Sequence, residues 1–317
     1  MKILDVDFGP VLDGSGLRGF LGEGYPYHRF IKPFGFDLRD STFVAKTASL
    51  TGKVGFLLYG ADGLTPLQLY PDCIVIKWRK KIVLNAVGLG NPGLLRLLSD
   101  GRWLDWPEPF MISVMPVFGR SDWRLQEIED VGRLLAAYRR QFDASFGIQL
   151  NLTCAAAGVC NECLIQEAPD MLDILGYLLP DMPLMPKLSV VTPPELIMPI
   201  AAHRNCHAIC ISNSVPWGSL SDKIDWQSMF IGSKSPLEIY GGGALSGAPL
   251  FPLVIEWILR ARAIGVKLPI NAGGGIMSID DARALIEAGA DSISLGSIAL
   301  LRPWRVKKIV AAMHSWL

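Results

Sequence analysis

A (β/α)8 TIM barrel is the fold this sequence predicts, on three observations. Short apolar runs alternate with helical patterns along the chain, which means a parallel sheet covered by helices. The carboxyl ends of most of these runs carry a polar or small residue, in step, as the reactive mouth of such a barrel does. Near the end of the chain two glycine turns lie one β/α unit apart, in PINAGGGIMSIDDARALIEAGADSISLGSIAL, residues 269–300. A doubly wound open sheet is the rival arrangement of the same units.

Eight runs are read as the barrel strands: Thr42–Lys46, Ile82–Ala86, Phe110–Met115, Gly147–Leu152, Leu184–Val190, His207–Ser212, Leu268–Ala272 and Asp291–Leu295. Helices are expected over Trp123–Phe142, Pro169–Leu179, Phe251–Ile264, Ile279–Gly289 and Pro303–Trp316. In the fourth of these, Ser278 with Asp281 three residues on makes a capping box. Ala282, Leu285, Ile286 and Ala290 recur there at helical spacing. Residues 10–40 are irregular, rich in glycine, aromatics and arginine, and residues 52–81 read as a hairpin or an excursion. One barrel domain over residues 1–317 with an irregular N-terminal segment is expected, a size that α/β barrels routinely reach.

Half of the residues are hydrophobic and 19% are charged, as in a globular α/β protein. Thirty basic side chains balance thirty acidic ones, so no overall field favours nucleic acid or an anionic membrane. The start, MKILDVDFGPVLDG, carries aspartates where a signal peptide needs an apolar run, and a cytoplasmic protein is expected. The six cysteines are sparse and are read as reduced thiols rather than a disulfide framework. Cys160-x-x-Cys163 lacks the second matched pair that a zinc site wants, so no metal is expected.

The chemistry is expected where the strands end. Gly273, Gly274 and Gly275 put bare backbone N–H groups at a helix start, and Gly296-Ser297 adds small residues at the next strand end. Together they describe a phosphate cup, against the plainer reading of turns that merely let helix and strand pack. Gly242–Gly247, before the helix Phe251–Ile264, is a weaker third source of donors. Lys46 and Lys187 sit in apolar runs, FVAKT and LMPKLSV, where an ammonium needs an anionic partner or a lowered pKa unless it reaches solvent. Asn85, Asn151 and Asn213 offer amides that both donate and accept, as a planar heterocycle with C=O and N–H groups requires. Cys154 follows Asn151 in LNLTCAAAGVC, a small-residue loop able to act as a lid; a buried inert thiol is the alternative.

In these motifs, taken in order, the chain resembles the dihydroorotate dehydrogenase family and the related flavin domain of dihydropyrimidine dehydrogenase. Gly14-Ser15-Gly16 resembles the family's early small-residue turn under the flavin. FVAKT, with Lys46 and Thr47, is similar to its flavin-contacting strand. LNAVGLGNPG resembles the substrate loop, which implies that Asn85 and the backbone of Val87, Gly88 and Leu89 meet a carboxylate. NLTC resembles NLSC, whose cysteine is the catalytic base, and this implies that role for Cys154, with Asn151 touching substrate and cofactor. Lys187 matches the strand lysine near flavin N1, and Asn213-Ser214 the substrate-binding Asn-Ser. LSGAPL with Gly247, GGGI with Gly274 and Gly275, and Gly296-Ser297 match the turns holding the FMN phosphate.

The resemblance implies FMN as cofactor, a dihydropyrimidine carboxylate as substrate and oxidation of dihydroorotate to orotate in pyrimidine synthesis. It implies a homodimer and leaves an iron–sulfur/FAD partner subunit open. A cysteine base is similar to the soluble branch of the family. Three departures stand out: Ala155-Ala156 follow NLTC where Pro-Asn is usual, the GG-x-SG turn carries an extra residue, and residues 17–40 have no counterpart. Rival readings are an FMN dehydrogenase of another dihydropyrimidine, a lyase using Lys46 or Lys187 as a Schiff base, and a flavin binder without turnover.

Overall fold

The computed structural model describes residues 1–154 and 158–316. Its principal sheet has seven parallel strands in the spatial order Val11–Asp13, Ser292–Leu295, Ile270–Gly273, Ile209–Asn213, Leu184–Ser189, Phe146–Asn151 and Phe110–Val114. The segment 42–48 lies between the two edge strands. It bridges Leu12 through Thr42 on one side, and Met111 and Val114 through Val44 and Ala48 on the other. Backbone bonds such as Thr42 N–H to Val11 O (2.8 Å) and Met111 N–H to Phe43 O (2.9 Å) close the ring with this eighth stave.

Two sequence expectations change here. Ile82–Asn85 is no stave: it pairs antiparallel with Ile74–Lys77 and Ala244–Gly247 in a separate sheet beside the mouth. That sheet has its own core, in which Leu84, Leu245, Trp226 and Phe230 pack together. An apolar run reports burial, and burial against this second core gives the same pattern as burial in the barrel. The missing stave is Val11–Asp13, whose three residues are too few to show a period.

Helices cover the barrel, the longest being Ser121–Tyr138 and Asn161–Leu178, which pack on each other. The second was expected to begin at Pro169 but runs eight residues further back, with Pro169 inside it. An internal proline costs about 3 kcal/mol. Burial of Leu164, Ala168, Met171, Leu172 and Leu175, with the part-buried Arg124–Glu167 pair at 2.5 Å, offsets that cost.

The barrel interior is mostly apolar at its base, where the buried Asn271 and Ser292 bond to each other and to Cys210 and Met1, and polar at its mouth. Leu12, Val44, Met111, Met185 and Cys210 form the base layer, closed from below by Ile3 and Phe8. Gly147 belongs to the same layer, since a Cβ there would meet Met111 Sδ at 2.8 Å and the Phe8 ring at 3.1 Å. Side chains two apart on a strand share a face. One step up the staves from this layer therefore leads to Gly14, Lys46, Ser113, Gln149, Lys187 and Ser212. Barrel register thus converts a run of apolar strands into a ring of functional groups at one end.

Candidate active site

Asn151 ends its strand paired in register with Lys187. Its Nδ2 donates to Thr47 Oγ1 at 3.2 Å, and its Oδ1 accepts from Asn213 Nδ2 at 2.7 Å. Thr47 Oγ1 lies 2.8 Å from Ser113 Oγ and 3.1 Å from Ser15 Oγ. Four stave ends and the turn after the first are therefore tied by one hydrogen-bonded network, which fixes the orientation of the amides.

A cavity of about 910 Å³ opens above this network. Ser15, Gly16, Lys46, Thr47, Asn85, Val87, Gly88, Leu89, Asn151, Cys154, Lys187, Asn213, Ser214, Gly296 and Ser297 all line it. Asn85 arrives from the sheet beside the mouth, held by its Nδ2 on Ala244 O at 3.3 Å. The loop after it turns through left-handed backbone at Gly88 and Leu89, and Val87 O accepts from Phe56 N–H at 3.0 Å. Cys154 is a free, half-buried thiol on this wall.

The two lysines are the cations of the cavity. Lys46 Nζ donates to Gly90 O at 2.7 Å and lies 4.6 Å from the centre of the Phe20 ring. Burial pushes it down to about 8, against the pull of Cys154 and Glu23. Burial lowers Lys187 as well, opposed by Cys210 and Cys154. Among the described residues neither lysine belongs to an ion pair. Two half-buried ammonium groups, neither paired with a carboxylate, suit a site that receives an anion.

A second, smaller hollow of about 80 Å³ shares Gly14, Ser212, Asn213, Ser214, Ser246, Gly296 and Ser297 with the large cavity, so the two are continuous. Gly274, Gly275 and Ser294, with the apolar Leu250, Ile276 and Ile298, complete its wall, which holds five serines and no acidic residue. Side chains are kept out by the backbone: a Cβ on Gly275 would sit 2.8 Å from Gly247 O and from Phe251 N. One on Gly274 would sit 2.9 Å from Ser212 Oγ, and both glycines have positive φ, +109° and +88° in chain order. Hydroxyls and backbone donors around a small bare hollow fit the phosphate of a mononucleotide cofactor. Gly247 lines neither space; its carbonyl backs onto Gly275.

Several contributors were not read from the sequence. Tyr25 and Tyr27 line the cavity from the irregular segment, and Tyr25 Oη donates to Gly16 O at 2.8 Å, bracing the small-residue turn. No periodicity marks them. Ser212 and Ser246 lie inside the stretches His207–Ser212 and Gly242–Gly247 without being singled out as site residues, and only the fold aims them at the hollow. Ala155 and Ala156 lie outside the described residues. The expectation of reduced thiols fails at one place: Cys160 and Cys163 form a disulfide. Their adjacency on the first turn of a helix, not a framework of many bridges, brings them together. Among the described residues no group of three or more His, Cys, Asp or Glu stands ready for a metal. No helix among them is long and apolar enough to cross a membrane.

A closed barrel whose mouth joins an anion hollow to a cavity of amides, lysines and a thiol belongs to the small-molecule enzymes of the TIM-barrel class. Within that class the chain is a member of the dihydroorotate dehydrogenase family, whose family model matches residues 31–317. It is 26% identical over 234 residues to the catalytic subunit of dihydroorotate dehydrogenase B (NAD(+)) of Streptococcus pneumoniae, covering 72% of this chain and 70% of that one. The corresponding subunit of Latilactobacillus sakei is 25% identical over 311 residues, 96% of this chain and 88% of the relative. Among solved structures, Eimeria tenella DHODH in complex with ferulenol superposes with a TM-score of 0.68 at 18% identity, over 99% of this chain and 81% of that one. That likeness speaks to the fold.

Proposed function

We propose that this chain oxidises dihydroorotate to orotate with FMN, in de novo pyrimidine synthesis. The observation that carries the reading is the continuity of the serine–glycine hollow with a cavity holding Cys154, Lys46, Lys187 and three asparagines, in a chain of this family. When bound, FMN supplies a two-electron acceptor. Its phosphate would be held by Gly274, Gly275, Gly296 and Ser297, with Gly247 backing the turn. Ser15, Gly16 and Thr47 would lie under the flavin, and Lys187 would supply positive charge to its electron-rich edge.

The remaining residues act on the substrate. Asn85, Asn151, Asn213 and Ser214 orient the planar ring, and the backbone of Val87, Gly88 and Leu89 receives its carboxylate. Cys154 Sγ takes the proton from substrate C5, a general-base role that depends on being held within hydrogen-bond reach. The sheet Ile74–Lys77, Ile82–Asn85 and Ala244–Gly247 walls one side of the mouth. The reading includes a cytoplasmic homodimer. The relatives named as catalytic subunits support a second subunit as the route to the final electron acceptor.

The deciding experiment is the visible spectrum of the purified protein before and after anaerobic dihydroorotate. A flavin spectrum that bleaches with dihydroorotate, and far more slowly with dihydrouracil or dihydrothymine, is expected. A colourless protein that forms a borohydride-trapped lysine adduct would replace this reading with a lyase.

A further inference from the structure

Cys160 and Cys163 are sulfurs that the proposed chemistry leaves unused. They open the helix Asn161–Leu178 and are joined by a disulfide, with Cα atoms 5.2 Å apart. Cys160 is the N-cap: its Sγ accepts from Cys163 N–H at 3.2 Å, and its carbonyl accepts from Leu164 N–H at 3.1 Å. Cys160 is exposed and Cys163 half-buried, so the first sulfur is open to attack from solvent. The helix body is held by other means, through Leu164 and Ala168 in the core and Glu167 on Arg124. The bridge therefore acts on the first turn alone. That turn follows Cys154 by six residues, a span of at most about 20 Å even when fully extended. Val159, directly before the bridge, rests against the same core as Cys154.

A pair of this spacing at a helix N-terminus has the surroundings of reactive thiols, because the helix end stabilises the thiolate. In a reducing compartment such pairs are transient and serve catalysis or redox sensing. We propose that Cys160 and Cys163 form a reversible thiol–disulfide site, taking small-molecule thiols and disulfides, whose closed form holds Cys154 in its working position. The second half of this proposal rests on the reading of Cys154 as the base. Closure begins when the Cys160 thiolate attacks one sulfur of a small disulfide, releasing one thiolate and forming a mixed disulfide. Deprotonated Cys163 then attacks Cys160 Sγ and releases the second thiolate. The dithiol loses two electrons, the small disulfide gains them, and the two protons end on the two released thiols. Opening is the reverse, driven by a dithiol.

The test uses the holoenzyme treated with dithiothreitol or with oxidised glutathione. Peptide-resolved alkylation should find Cys160 and Cys163 blocked after oxidation and free after reduction, without unfolding. A pair that stays open to alkylation under oxidised glutathione, or stays closed under dithiothreitol, overturns the proposal. Flavin reduction by dihydroorotate should slow on the order of tenfold on opening and recover on closure, the scale of a displaced catalytic group. The double variant Cys160→Ser/Cys163→Ser should stay at the slower rate under both treatments. Equal rates in both states, or a double variant that still responds to dithiothreitol, would overturn the coupling. Alkylation of Cys154 by iodoacetamide, followed by mass, needs no substrate and should change rate with the state of the pair. If dihydroorotate fails to reduce the flavin at all, the proposed function falls. The labelling of Cys154 then still decides the coupling, an unchanged rate sinking it.

Discussion

At the scale of single residues, Cys154 and Lys46 make separable predictions. Replacing Cys154 with alanine should slow flavin reduction by roughly two to four orders of magnitude, the usual worth of a positioned general base. FMN content should not change, because Cys154 lines the large cavity and not the phosphate hollow. A variant that reduces its flavin at the wild-type rate in stopped flow would make Cys154 a packed thiol. Lys46 predicts a pH dependence of binding. Burial brings its ammonium down to about 8, so it is charged below that pH and neutral above it. A carboxylate ligand gains attraction only from the charged form. Orotate affinity, read from the flavin spectral shift, should be flat below pH 8 and should weaken above it, approaching about tenfold per pH unit. Lys46→Met should bind more weakly and lose this slope; a slope that persists places the titrating group elsewhere.

At the scale of elements, the phosphate hollow depends on which glycine is altered. Gly275 has φ +88° and a would-be Cβ 2.8 Å from backbone atoms, so any side chain there strains the fold before it meets a ligand. At Gly296 a Cβ meets nothing within 4 Å. Gly296→Asp therefore places a carboxylate in the hollow with the backbone undisturbed, and the protein should purify without FMN while keeping its far-UV spectrum. Stoichiometric flavin in this variant would remove the hollow as the phosphate site. The helix Asn161–Leu178 shows why element boundaries were harder to read than their existence. Pro169 gives a strong local start signal, and the tertiary burial that overrides it comes from packing on another helix.

For the whole molecule, stability turns on how the ring is closed. Asp13, at the end of the three-residue stave, is buried; it accepts from Arg18 Nε at 2.5 Å and from Ser41 Oγ at 2.8 Å. Arg18 Nη2 also donates to Ser41 O, tying the first stave to the segment 42–48 that seals the barrel. Burial pushes Asp13 up to about 6 even with Arg18 present, so removing the guanidinium strands a buried carboxyl. Arg18→Met should lower unfolding free energy by about 3–5 kcal/mol, the cost of breaking a buried pair from one side. Asp13→Asn, which keeps a hydrogen-bonding group, should cost less, and Asp13→Asn in the Arg18→Met background should recover part of the loss. Urea unfolding of FMN-saturated protein measures all three. A loss under about 1 kcal/mol for Arg18→Met would mean that closure does not rest on this pair.

The sequence by itself determined the barrel class, most of its strands and many of the polar residues that line the mouth. It could do so because strand register is periodic and because glycine turns, NLTC and the strand-end asparagines are local patterns whose chemistry does not depend on distant contacts. Only the tertiary structure decided which apolar runs share a sheet. Ile82–Asn85 and the staves are equally apolar, and hydrophobic patterning records that a strand is buried without recording what buries it. The same limit hid Val11–Asp13, too short for a period, and Tyr25, whose place on the turn at Gly16 is a contact across an irregular segment. It hid Cys160–Cys163 too, since a free thiol and a paired one have the same letter until a helix start brings two of them together.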